Sequence, residues 1–250
     1  MQHDGYNEFR QRGRFDFPIE FHHVDCHHPR FYMPYHWHME YEIDLVVQGT
    51  LTLSLNETQI HAQAGDIIFI RDGVVHGGRP ETSDTIYGCI VFDMKKMLAG
   101  SHSFQDQIDD ILKHITLISK HIPSKTPDIP KIMQYLFRSM AEEYPGYELV
   151  VTGLLYSFLG LVRRHGLYHQ ADPLALREYK RKRITQLKQT FNLIDSNYPQ
   201  PLTLADLAKA ANLSPNYFCR FFQKITHHSP MDSLNRYRVE IAFLKLAHTT

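Results

Sequence analysis

The sequence predicts a multidomain α+β protein with an N-terminal β-barrel, a helical middle region and a C-terminal all-α helix-turn-helix module. Three observations carry that reading. Short apolar runs at regular spacing fill residues 35–92. Apolar positions recur every three to four residues from about 104 onward. Two short capped helices joined by a tight turn occupy 203–225.

The first region is strand-like. Ile43–Val47, Leu51–Leu55, Ile67–Ile70 and Tyr87–Phe92 are apolar runs separated by turn formers: Gln48-Gly49, Asn56, Ala64-Gly65, Asp72-Gly73 and Gly77-Gly78. Short strands at that spacing suggest a sandwich or barrel, here over residues 1–95. From about 104 to 169 the pattern turns helical, with Ile108, Ile111, Leu112, Ile115 and Ile118 as one apolar stripe. That stripe serves either a second copy of the chain or the protein's own barrel. Pro130 precedes a helix over 131–144, Pro145-Gly146 breaks it, and a strongly apolar helix covers 147–165. This middle region spans 96–172, and a charged link, Arg177–Arg183, leads into the last module, 173–250.

In that module Leu187, Phe191 and Ile194 continue a helical face begun by Ile184, and Pro199 ends it. Thr203 is a natural N-cap, and Asp206 at the third helical position suits both cap bonding and the helix dipole. Asn212 falls where the turn needs positive φ, and Ser214-Pro215 opens the next helix. On that helix Phe218, Phe221, Phe222 and Ile225 form the stripe to be buried. Asn216, Cys219, Arg220 and Gln223 form the opposite one, and their side-chain types can read base edges, Arg for guanine and Asn or Gln for adenine. Tyr217 and Lys224 flank it. Lys224, Lys209 and Arg236 suit phosphate.

Charge supports the same reading. The chain has 27 Lys+Arg and 27 Asp+Glu in all, yet residues 174–250 hold 12 against 5, a net +7, leaving −7 for residues 1–173. A basic module of that kind attracts polyanions, nucleic acid first among them.

The residues from Leu202 through Lys224, with Ser229-Pro230 and Leu234-Asn235-Arg236-Tyr237-Arg238, resemble the AraC/XylS family of bacterial transcription regulators. The resemblance implies that Ser214-Pro215 opens a recognition helix and that Arg238–Lys245 lies on a linker helix. It also implies a small-molecule effector, often a sugar, a homodimer, double-stranded DNA as partner, and RNA polymerase where the regulator activates. Family members usually carry a second helix-turn-helix after the linker helix, and the chain ends at Thr250 without one. One module offers few phosphate contacts, so weak DNA affinity is expected.

The N-terminal half resembles the cupin sensor of the same family. His36-Trp37-His38-x-x-x-Glu42 followed by Gly49 is similar to the first cupin motif. Gly65 through Arg71-Asp72-Gly73 to His76 is a looser second, with Arg71 where cupins usually carry Pro. Together they imply an effector pocket of His36, Trp37, His38, Glu42 and His76. Within it His36, His38, Glu42 and His76 are the set that holds zinc, nickel, iron or manganese in cupin enzymes; as a regulator's pocket it requires no cofactor, and a metal-free effector pocket and one holding such a divalent ion both stay open. From residues alone the side of the strand stays open: the even positions 36–44 are polar and the odd ones 37–45 apolar, which proves two faces and not which looks inward. The pairs His22-His23, His27-His28 and His227-His228 read as solvated loop residues, since strand neighbours point oppositely.

No apolar run approaches the roughly 20 residues of a membrane span, and the polar stretch Met1–Arg14 does not read as a secretory signal, so a cytoplasmic protein is expected. Three widely spaced cysteines, Cys26, Cys89 and Cys219, fit reduced thiols. The rival class is a cupin metalloenzyme, a dioxygenase or isomerase with a helical tail, against which the basic recognition helix argues.

Overall fold

A computed structural model describes residues 12–98, 100, 103–171, 174–226 and 228–247, with the side chains of 174–184, 240 and 243–247 outside the description. Eight strands come first: β1 (Ile19–Val24), β2 (Met33–His36), β3 (Tyr41–Gln48), β4 (Thr50–Leu55), β5 (Thr58–Gln63), β6 (Ile67–Ile70), β7 (His76–Pro80) and β8 (Ile86–Phe92). After them run α1 (Met94–Leu98), α2 (Gln105–Leu112), β9 (Thr116–Ile118), β10 (His121–Ile122), α3 (Ile129–Glu142), α4 (Tyr147–Arg164) and β11 (Tyr168–Gln170). The chain continues into α5 (Leu174–Asn197), α6 (Leu204–Ala210), α7 (Pro215–Thr226) and α8 (Pro230–Ala247).

Two antiparallel sheets, ordered β1-β8-β3-β6-β10 and β2-β7-β4-β5, build the N-terminal domain. Strand β3 decides its layering. Tyr41, Ile43 and Leu45 pack outward with Leu136 and Phe137 of α3 and Val151, Leu155 and Phe158 of α4. Val46, on the other face, joins Leu51, Leu53, Ile68, Ile70 and Tyr87 in the interior between the sheets. The even face therefore looks inward, and the odd face is covered by helices. A slip of one residue would exchange the two faces.

Three expectations need correction. Gly77-Gly78 is no turn: both lie in β7, where a Cβ on Gly77 would stand 3.1 Å from the Tyr35 ring, so Gly77 leaves room for that ring against the strand. The stripe from Ile108 to Ile118 is not one helix. It stops at Leu112, His114 takes φ 57, and Thr116–Ile118 is strand β9 paired with β11. Ile108 and Ile111 pack into the protein's own core, while Ile115 is exposed. The charged link Arg177–Arg183 is helical backbone within α5, as a run of strong helix formers allows.

The C-terminal module follows its local chemistry. Thr203 and Asp206 close a reciprocal capping box at the start of α6, and Asn212 takes φ 53 in the turn. Leu187, Phe191, Ile194, Leu207, Phe218, Phe222 and Ile225 are buried together. Val75 of the barrel is part of that cluster, with Tyr35 and Trp37 packed against it, so one apolar patch joins the two domains.

Candidate functional site: a buried histidine cluster beside a recognition helix

His36, His38, Glu42 and His76 converge from β2, the segment after it, β3 and β7, all buried, with one ligand atom of each within 4.8 Å of the others. Each ring is fixed by a backbone carbonyl two residues away: His36 Nδ1 to Pro34 O at 2.9 Å, His38 Nδ1 to Glu40 O at 3.0 Å, His76 Nδ1 to Val74 O at 2.9 Å. A carbonyl only accepts, so each Nδ1 carries the proton and each Nε2 keeps its lone pair.

Two of those lone pairs face a carboxylate. His38 Nε2 and His76 Nε2 lie 2.8 and 3.1 Å from the same Glu42 oxygen, Oε2. Acceptors facing acceptors at that range need a cation between them, a proton or a metal ion. Complete burial works to raise the Glu42 pKa, but His76 and His38 prevail and hold it well below the usual carboxylate range. The Cys89 thiol donates to Glu42 Oε1 at 3.0 Å, and burial pushes that thiol's pKa well up. Next along β3, Asp44 is pushed well above the ordinary aspartate range by burial and then by the charge of Glu42.

The structure brings together four of the five expected pocket residues. Trp37 is the exception. On extended backbone it points opposite to its two histidine neighbours, and it packs against the helix-turn-helix core, with Lys188 Nζ of α5 3.8 Å from its ring centroid. Burial lowers the Lys188 pKa to about 8. The turn at Gly73 ties into the same place, its N–H donating to His38 O at 2.7 Å.

Sequence reasoning missed several neighbours. A small cavity of about 50 Å³ beside the cluster is lined by Arg12, His22, His28, Arg30, Tyr87 and Cys89 as well as His36 and Glu42. His22 and His23 stand on β1 instead of a loop, opposite Cys89 and Gly88 of β8. His27 is exposed and His28 half-buried; His227 lies outside the described residues, as do residues 1–11 and 248–250. The alternation of β3 could have pointed to Asp44; nothing local marks Arg12, which is 3% exposed and pairs with Glu20 at 3.2 Å.

On α7 the expected reading face is presented as spacing requires. Asn216, Tyr217, Arg220, Gln223 and Lys224 are exposed and Cys219 half-buried, while Phe218, Phe221, Phe222 and Ile225 face inward. Lys224 Nζ lies 3.9 Å from Glu57 Oε2, at the β4–β5 turn of the barrel. Arg236 lines a cavity between the domains. Among the described residues no helix is long and apolar enough to cross a membrane.

Comparison with known proteins agrees with this geometry. Residues 19–159 match the family described as AraC-like ligand binding domain, and residues 194–232 match bacterial regulatory helix-turn-helix proteins of the AraC family. The chain is 26% identical over 222 residues to an uncharacterized HTH-type transcriptional regulator, YdeC, of Bacillus subtilis (strain 168), covering 87% of this chain and 74% of that protein. It is 24% identical over 224 residues to the lactose operon transcription activator of Staphylococcus xylosus, covering 83% and 70%. Among solved structures, an apo variant of ToxT from Vibrio cholerae strain SCE256 aligns over 90% of this chain and 98% of that one, at 9% identity and a TM-score of 0.41. With a ligand-binding barrel and a capped helix-turn-helix in one chain, the protein belongs to the AraC family of bacterial helix-turn-helix transcriptional regulators.

Proposed function

We propose that this regulator reads double-stranded DNA with Asn216, Cys219, Arg220 and Gln223, steadied by Tyr217 and Lys224, and that His36, His38, Glu42 and His76 form its effector pocket around a divalent metal ion. The single observation that carries the link between sensing and reading is Trp37, which stands between two pocket histidines and packs under Lys188 of the DNA-binding module.

The donor set fits a metal. Three Nε2 lone pairs and one carboxylate converge, and each imidazole is oriented through its other nitrogen, the arrangement that fixes tautomer and raises ligand basicity in metal sites. An ion of the zinc, nickel, iron or manganese class would supply a Lewis-acidic point toward which an oxygen of a small ligand is drawn. His38 and Glu42 would hold their places through backbone and cluster contacts, and the 71–73 turn would transmit any shift of His38 to the interface.

The effector is a sugar or related metabolite, in keeping with the lactose operon activator among the relatives. The protein works as a homodimer and, where it activates, touches RNA polymerase. Elemental analysis of tag-free protein, paired with selection of bound duplexes from a random pool with and without a chelator, tests the reading. Stoichiometric metal, lost in Glu42→Gln, and a DNA affinity that changes on chelation are the expected results. Metal-dependent turnover with no DNA selected would replace it by the cupin-enzyme alternative.

A further inference from the structure

The cavity beside the histidine cluster measures about 50 Å³, far below the roughly 300–1,000 Å³ typical of small-molecule sites. A second space is of that size. Between the outer face of the β2-β7-β4-β5 sheet and the helix-turn-helix module lies a cavity of about 590 Å³.

Its floor is polar and already organised. Thr52 and Ser54 are buried on β4, His61 Nδ1 lies 2.7 Å from Thr52 Oγ1, and Thr52 donates to Glu81. Its roof, from the other domain, is aromatic and polar: Phe191 of α5 with Ser233, Arg236 and Tyr237 of α8. Tyr35 closes one end, its ring edge-on to His228 at 6.3 Å between centroids. Hydroxyl, imidazole, carboxylate and guanidinium groups thus converge on a space with aromatic walls. Groups that both donate and accept, set against ring faces, match a molecule with many hydroxyls on one edge and C–H groups on another.

We propose that this interdomain cavity is a second site, additional to the effector pocket of the histidine cluster, and takes a mono- or disaccharide through Thr52, Ser54, His61 and Glu81 on the barrel and Tyr237 and Arg236 on the DNA-binding module. The proposal rests on the chain being an effector-responsive regulator and is independent of whether the histidine cluster holds an ion. Its consequence for DNA follows from connectivity. Strand β4, which carries Thr52 and Ser54, runs directly into the turn whose Glu57 pairs with Lys224 of the recognition helix. Filling the cavity therefore loads a hairpin that touches both ligand and reading head.

The experiment is isothermal titration calorimetry on the full chain with glucose, galactose, xylose, lactose and maltose. At least one of them binds, and His61→Ala, an exposed position safe for folding, weakens it by roughly fivefold to tenfold, the loss of about one hydrogen bond. Thr52→Val weakens it similarly, and His61→Trp, which fills the cavity, abolishes it. Two results overturn the site: no heat with any of the five sugars, or a bound sugar that is lost in Glu42→Gln and indifferent to His61→Ala and Thr52→Val. The second would return the saccharide to the barrel interior and leave the regulator reading standing.

Discussion

Lys188 and Trp37 meet across the domain boundary, the ammonium 3.8 Å from the ring centroid, and Trp37 is the chain's single tryptophan. A cation held over an indole is worth about 0.5–2 kcal/mol, more as it is desolvated. Burial lowers the Lys188 pKa to about 8, with Asp72 opposing that shift. The contact thus weakens when the amine loses its proton near pH 8. Trp37 emission should change with a midpoint near that pH, and Lys188→Met should abolish the transition. A transition that survives Lys188→Met would assign the signal elsewhere.

Stability carries the opposite sign, because the burial that lowers the pKa of the charged amine outweighs its attraction to the ring. The unfolded chain holds the lysine proton up to its ordinary range near 10.4, while the folded chain releases it near 8. Between those values the unfolded state binds more protons, so stability rises with pH there. Chemical denaturation of wild type and Lys188→Met across that window should give midpoints that converge as the wild type loses its charge.

At the other end of the interface Glu57 occupies Lys224, a residue suited to DNA phosphate. Glu57→Gln should raise DNA affinity, and more at low salt than at high. Lys224→Ala should weaken binding for all sequences and reduce the slope of log affinity against log salt by about 1, whereas Arg220→Ala should cost about 1–3 kcal/mol and relax preference at one base. Fluorescence anisotropy over a salt series separates these. Equal slopes for wild type and Lys224→Ala would remove Lys224 from the phosphate-contacting set.

The helix-turn-helix was the most legible part of the chain because its signals are local: a capping box, one positive-φ Asn and a stripe of four aromatic or branched residues sit within a few turns of each other. The histidine set was legible as a spacing, but its surroundings were not. Arg12, Cys89 and Lys188 reach the site or its neighbour by tertiary packing, from segments whose local pattern carries no mark of it. Trp37 was misplaced for the opposite reason. Lying between two pocket histidines it was read as their companion, although strand alternation sends it to the other face. The stripe ending at Ile118 failed at His114, where a positive φ breaks a helix that periodicity alone would have continued.

Packing of the barrel against its helices rests on Gly88 in the middle of β8, which faces the Phe137 ring of α3. A Cβ there would lie 2.7 Å from the ring. Gly88→Ala should therefore cost about 1–3 kcal/mol by overpacking. The Gly88→Ala/Phe137→Leu pair should recover part of that loss, since the contact is to a side chain and not to backbone. Urea midpoints of the four proteins give the coupling; strict additivity would mean that Gly88 matters for its backbone and not for the ring above it.

Asp44 yields the sharpest pH test, because it and Glu42 shift in opposite directions two residues apart. Glu42 is held low by His76 and His38, so its contribution is present above the ordinary carboxylate range and lost as pH falls through its lowered value. Asp44 is held high by burial and by Glu42, so the folded chain keeps a proton that the unfolded chain releases near pH 4. Its contribution is complete below that pH and is lost as pH rises toward the native pKa. From about pH 4 upward the Asp44 slope therefore runs alone between the two carboxylates. Replacing the protonated acid by its neutral isostere in Asp44→Asn should flatten the fall in stability with rising pH, leaving acid-side stability close to wild type. Thermal midpoints measured in chelator across that range check this, and parallel curves for the two proteins would mean that Asp44 is ionised in the fold.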